Sequence, residues 1–458
     1  NCRDEREFRN TLAAFAHAQP QGEWVLHGEW EPERWPTGKL PTAATIDDVT
    51  QEHPVFVRRI DAHTALANSL AMRLAGVNKA TADVPGGVIE RYSDGSPTGI
   101  FKDAAKALIE RVTPPTPLPN MIAALEAAQR HAVRNGVTSV HDMGIVGGTT
   151  KECATLLQAY QVLHDRDDLH VRISLHTPVS AWNDLARVGI RAGFGNSKLR
   201  IGALKGFADG SLGSRTAWFT SPYSDAPDTN GMPGPDIGDD EAMYAVLQQA
   251  DEAGLQLAIH AIGDRANRVV LDLFKRLSAE NGPRDRRVRI EHAQHLLPSD
   301  FARFARIGVV ASVQPYHCID DGCWLEHSIG TERAQLSYAF RSLIDAGAVL
   351  ALGSDWPIEP INPMLILYAA ATRRTLDGKN PDGWMRHEKI ALHEALNAYT
   401  SGSAYASFEE DVKGALQPGK LADLAILSKD IFSIDPVELE SVEIAATIAG
   451  GKIVYERG

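Results

Sequence analysis

The sequence predicts an α/β chain centred on a TIM-like (β/α)8 barrel, with an inserted small α+β subdomain and part of a C-terminal β-sandwich. Three observations predict it. From residue 120 onward, short apolar runs bounded by glycine alternate with helical stretches, the pattern of buried parallel strands in βαβ units. Seven such runs can be counted where a closed barrel needs eight. Before and after them the composition changes to short β-like runs with turn residues.

Residues 5–18 (EREFRNTLAAFAHA) have helical periodicity and stop at Gln19-Pro20-Gln21-Gly22, so 1–21 is expected to be a barrel helix. Residues 22–115, with Trp24, Trp30, Trp35 and the run PVFVRRI at 54–60, read as an inserted subdomain over the barrel mouth. The proline run from Pro114 to Pro119 closes it as a stiff linker. The barrel is assigned to 116–405. Its strands are expected within 137–143, 170–176, 199–210, 255–264, 287–295, 309–317 and 348–357. Helices are expected between them, among others at 239–253, 298–307 and 331–346. The eighth strand is expected upstream of Asn1. Residues 406–458, with GALQPGKLADLAIL and GGKIVY, read as the C-terminal part of a small β domain.

At 458 residues, 44% apolar and 23% charged, the chain suits a large barrel with accessory elements. The net charge of 46 − 59 = −13 and the lack of a basic stripe argue against nucleic-acid binding. Four cysteines are too few for a disulfide framework, and Cys318 and Cys323 have no second pair with which to hold a metal. No apolar run reaches the ~18 residues of a membrane span. A cytoplasmic location is the expectation, with the N-terminus missing.

The chemistry lies at the strand ends, whose side chains project into the mouth of such a barrel. Successive strands carry Lys205, His260, His292 and Asp355 there. A lone strand-end histidine more often hydrogen-bonds than ligates, and a lone aspartate before Trp-Pro is usually a turn residue. Two imidazoles and a carboxylate on successive strands instead suit a divalent ion such as Zn²⁺. A buried lysine becomes sensible if its neutral amine reacts with CO₂ to give a metal-bridging carbamate.

The strings LKGFADGSLGSRTAW (204–218), LAIHAIGDRA (257–266), RIEHAQ (289–294), SVQPYH (312–317) and GSDWPIEPINP (353–363) resemble the amidohydrolase superfamily, in particular its YtcJ-like (amidohydrolase 3) branch. RRIDAHTALANSLAMRLAG (58–76) and PGGVIERYSDGSPTGIFKDAA (85–105) are similar too, so the resemblance covers nearly the whole chain. It implies one or two zinc ions and a metal-activated water that hydrolyses a C–N bond of a small molecule, such as an amide or N-substituted formamide. Lys205 is then the carbamylated bridge, and His260 and His292 hold the second metal. Asp355 is the first metal's ligand and the general base.

The family's His-x-His pair on its first strand is not in this sequence: neither His27 nor His63 has a partner at i+2. As weaker substrate candidates the reading adds His63, Asp209, Arg215, Gln314 and His317, the last alternatively a partner behind the ligands. Asp264 is expected to cap its helix and Glu291 to be structural. A metal-dependent isomerase or lyase on the same barrel is the competing enzyme class, and an inactive binding protein the third reading. The partner expected is a small-molecule substrate, and edges around the insertion are compatible with a homodimer.

Overall fold

The computed structural model describes residues 2–26, 28–32, 35–145, 150–234, 236 and 240–458, so His27 lies outside the described residues. The chain divides into two compact units. The first comprises Asn1–Pro115, Asp209–Ala217 and Gly231–Gly238, and the second Thr116–Ala208, Trp218–Asn230 and Asp239–Gly458.

The first unit is built on an antiparallel sheet of β1 (Phe56–Arg58), β2 (Thr64–Ala67), β3 (Gly87–Arg91) and β4 (Pro97–Asp103), ordered β1-β2-β4-β3. Alternate side chains face opposite sides. Val57, Leu66 and Ile100 enter one core, while Phe56, Ala65, Ala67 and Phe101 enter another. The helix Glu5–His17 closes the first of these cores. Asp4 caps it by accepting from the Glu7 amide at 2.7 Å, and Phe8, Leu12 and Ala16 recur at i, i+4 and i+8 on its buried face. That face packs against Trp30, Trp35, Ile46 and Val55. The helix expected to belong with the barrel therefore shares its core with the insertion, because its apolar stripe is spent there.

In the second unit, β5 (Ser139–Asp142), β6 (Arg172–Pro178), β7 (Leu199–Phe207), β8 (Leu257–Ala261), β9 (Arg289–His292), β10 (Val310–Val313) and β11 (Val349–Leu352) form one seven-stranded sheet in chain order. All neighbours are parallel. Six of them fall within a run expected from the sequence, and β6 runs two residues past the expected 170–176. The sheet is curled like a half-barrel. Arg289 on β9 reaches His141 on β5 at 2.9 Å, although three strands stand between them in the sheet.

The helices mostly follow expectation, but 331–346 is two pieces, Thr331–Ala334 and Phe340–Asp345. Tyr338 in the break between them has φ +53°, a left-handed conformation through which a right-handed helix does not continue. The chain closes with one antiparallel sheet, β12 (Leu424–Leu427), β13 (Ile444–Ala449) and β14 (Lys452–Glu456). Thr447 donates to the Val133 carbonyl at 2.7 Å, and Arg172 grips Asp423 through two bonds of 2.6 and 2.8 Å, tying this sheet to the barrel. No helix among the described residues is long and apolar enough to cross a membrane.

Candidate metal and active site

The register places the selected strand residues at one end of the sheet. Phe207 pairs with His260, His260 with Glu291 and Ala261 with His292, so β7, β8 and β9 finish side by side. Lys205 is buried, its Nζ 3.9 Å from the centre of the Phe207 ring. The Phe207 ring lies 5.3 Å from that of the buried His260, and His260 meets His292 edge-on at 4.6 Å. His292 in turn lies 6.0 Å from His317. The four strand-end residues thus fall on one continuous chain of side chains that ends at Asp355.

The tightest grouping among the described residues is His292, His317 and Asp355, each offering a ligand atom within 4.8 Å of the others'. Two of them sit on strained backbone. His292 has φ +77°, followed by Ala293 at +44°, and Asp355 has φ +59°. Such conformations cost roughly 1–3 kcal/mol each in non-glycine residues and collect where a side chain must be aimed.

The hydrogen bonds explain the aim. His292 Nδ1 lies 2.9 Å from Gln314 Oε1, so the ring donates there and its Nε2 lone pair is left to face a ligand. Burial pushes the His292 pKa down to about 4, which keeps the ring neutral. His317 stands between two carboxylates, with Nε2 3.3 Å from Asp355 Oδ2 and Nδ1 3.2 Å from Glu359 Oε1. Burial opposes its charge, but the hydrogen bonds to Asp355 and Glu359 raise its pKa well above the ordinary value. Burial would also raise Asp355, but the hydrogen bond it accepts from His317, together with the field of the nearby His292, holds it below the usual carboxylate range. Two imidazoles, anchored from behind by Gln314 and Glu359, and a carboxylate make a donor set fit for a divalent cation once His317 gives up its Nε2 proton to it.

The remaining sequence candidates are placed as follows. Gln314 is buried, its amide spent on His292 and on the Ser312 carbonyl at 3.2 Å, which makes it an anchor for a ligand more than a contact for substrate. His317, also read first as a substrate contact, falls inside the ligand group. Asp264 is not the cap of its helix, since Gly263 holds that position. Its carboxylate takes the Thr220 amide at 2.7 Å and hydroxyl at 3.1 Å, pinning the loop after β7.

Glu291, expected to be structural, lies within a buried cluster. Arg289 meets Glu291 at 2.8 Å, His141 Nδ1 at 2.9 Å, His176 Nε2 at 3.4 Å and Ser312 Oγ at 2.9 Å.

His63, Asp209 and Arg215 belong to the first unit. His63 Nδ1 bonds Asp103 Oδ1 at 2.6 Å, Asp209 is buried, and Arg215 donates back to Leu212 O of its own loop at 2.9 Å. In the same unit Ser211 donates to Asp61 at 2.6 Å, fastening the loop to the β1–β2 turn.

Sequence reasoning missed Glu359 and the Arg289–His141–His176 cluster. The first had a signal in being an acidic residue four positions after Asp355. The second had one in Arg289 and Glu291, two apart on a strand and so on one face.

Comparison with known proteins identifies the family. The amidohydrolase family model matches residues 2–455. Protein LONG AFTER FAR-RED 3 of Arabidopsis thaliana is 41% identical, covering 98% of this chain and 77% of that protein. The putative amidohydrolase YtcJ of Bacillus subtilis is 33% identical, covering 96% and 81%. An N-substituted formamide deformylase of Arthrobacter pascens is 26% identical, covering 96% and 80%. The crystal structure of an uncharacterized metal-dependent hydrolase from Pyrococcus horikoshii superposes with a TM-score of 0.72 at 26% identity, covering 95% of this chain and 82% of that one. The chain belongs to the amidohydrolase family, in its YtcJ-like branch.

Proposed function

We propose that this chain hydrolyses a C–N bond of a small amide, N-substituted formamide or related molecule at a divalent-cation site formed at the ends of β7 to β11. Membership of the amidohydrolase family makes it a hydrolase. The observation that carries the finer reading is the grouping of His292, His317 and Asp355, with ligand atoms within 4.8 Å of one another. The metal-dependent hydrolase among its structural neighbours and the formamide deformylase among its relatives support it.

The donor set of imidazoles and carboxylate suits Zn²⁺. A cation bound there supplies Lewis-acid polarisation of the scissile carbonyl and lets water attack near neutral pH. The rest falls to this chain's own groups. Asp355, held ionised, accepts a proton from the attacking water at its carboxylate and returns it to the nitrogen of the leaving amine. Gln314 keeps the His292 ring from turning. His260, buried edge-on to His292, adds a further imidazole. Lys205 is the group proposed to take up CO₂: when unprotonated, its Nζ attacks the carbon, gives up a proton to solvent and becomes a carbamate able to hold a cation. Buried beside Phe207, that amine has little water to compete for the CO₂.

The test is elemental analysis of the purified protein, followed by amine release from a panel of N-substituted formamides, amides and ureas with Zn²⁺ supplied. Bound metal and amine release from at least one class are expected. Protein that holds no cation, and takes up none from Zn²⁺ or Mn²⁺, would overturn the proposal.

A further inference from the structure

We propose that Glu359 is a positioning residue that turns His317 toward the cation, giving this site an imidazole beyond those at the ends of β8 and β9. The inference rests on the metal-dependent reading above and adds to it a residue that no strand end supplies. Its basis is geometric. His317 stands on the helix Pro315–Asp321, which begins directly after β10 with Pro315 in its first turn, so a rigid element carries the ring.

The ring is held from behind. Its Nδ1 is 3.2 Å from Glu359 Oε1, and a carboxylate at that distance keeps the proton on Nδ1. Nε2 then points the other way, into the group it shares with His292 and Asp355. A carboxylate behind an imidazole ligand both fixes its orientation and makes it a better donor. His292 is held in the same manner, but by a neutral amide, Gln314. The two rings therefore have matched geometry and unmatched anchors. Glu359 is only 8% exposed, so water screens its charge poorly and the anchor is firm.

An imidazole that served only to bridge two carboxylates would also satisfy these distances, and cation affinity separates the two cases. Wild type, Glu359→Gln, His317→Gln and the double variant are stripped with chelator and reloaded with Zn²⁺ against a chromophoric competitor. Glu359→Gln is expected to bind Zn²⁺ about 10–100-fold more weakly. His317→Gln is expected to lose at least as much, and the double variant no more than His317→Gln alone, because Glu359 acts through that ring. The visible spectrum of the Co²⁺-loaded protein is expected to change on His317→Gln.

Unchanged affinity in Glu359→Gln, or losses that add in the double variant, would overturn the inference and leave the hydrolase reading standing. Wild type that binds no Zn²⁺ would instead overturn that reading. Thermal melting of the metal-free proteins reports folding. If Glu359→Gln does not fold, Glu359→Asp, which keeps the charge and shortens the reach, is taken through the same titration with the same two outcomes.

Discussion

Two clusters on the same curled sheet use the same residue types to opposite ends. The one around Arg289, at the first residue of β9, is closed. Its guanidinium is permanently charged and has no acceptor capacity, so the nitrogens of His141 and His176 that face it must be lone pairs. His176 places its own proton toward the Ser174 carbonyl at 3.3 Å, and Glu291 supplies the balancing charge at 2.8 Å. The other cluster, around His292 at the last residue of β9, is open. There the carboxylates of Asp355 and Glu359 face imidazoles with no arginine between them, and the Asp355 side chain is 33% exposed. The difference teaches what separates a structural polar core from a reactive one. In the first every charge is matched by protein, and in the second the geometry is fixed from behind while the front stays available.

The comparison can be broken most decisively at Asp355. Asn tolerates the left-handed backbone there, so Asp355→Asn removes the charge and little else. Activity is expected to fall about 10²–10⁴-fold in kcat/KM, the usual worth of a positioned base, with the melting temperature nearly unchanged. A variant that keeps wild-type turnover would show that the open cluster is not the reactive one.

Next in size is Arg289→Met, which leaves Glu291 buried without its partner. The loss of such a partner costs about 3–5 kcal/mol, readable by urea unfolding, and the double replacement with Glu291→Leu should recover part of it. No recovery would mean that Arg289 does more than neutralise Glu291.

The smallest effect is on pH dependence. Burial, with Arg289 beside it, lowers the His176 pKa from its ordinary 6.5 to about 3. The unfolded chain therefore binds this proton first as pH falls, and stability present above pH 6.5 is lost toward pH 3. Between pH 6.5 and 5 this one group removes about 2 kcal/mol. His176→Gln, which still offers Arg289 an acceptor, should show a shallower acid decline, and an identical decline would exclude His176 as its source.

Much of this was legible in the sequence, for identifiable reasons. Parallel strands buried on both faces read as continuous apolar runs, so all seven were found together with Lys205, His260, His292 and Asp355 at their ends. The resemblance to the amidohydrolase branch was legible in the same strings. What hides is whatever tertiary geometry alone decides. Glu359 sits in the proline-rich stretch after Asp355, where no period says which way a side chain turns. His317 stands 25 residues after His292 and 38 before Asp355, and it enters the group on the helix that Pro315 starts. The periodicity of the helix Glu5–His17 announced an apolar face, but an apolar face does not name its partner, and here it is Trp30 and Trp35. Asp264 looked like a cap because caps stand at helix starts, and only the fold shows Thr220 taking both its oxygens.

The loop Asp209–Ala217 carries one more consequence, for how the protein is made. It belongs to the first unit, where Ser211 satisfies Asp61, yet it is encoded after the 93 residues that run from Thr116 to Ala208. At about 5–20 residues per second, synthesis leaves the first unit waiting roughly 5–20 s for that segment. Throughout that interval β1 to β4 have been synthesised while the hydroxyl that meets Asp61 has not. The hydrogen bond from Ser211 to Asp61 therefore forms only after the opening segment of the second unit has been made.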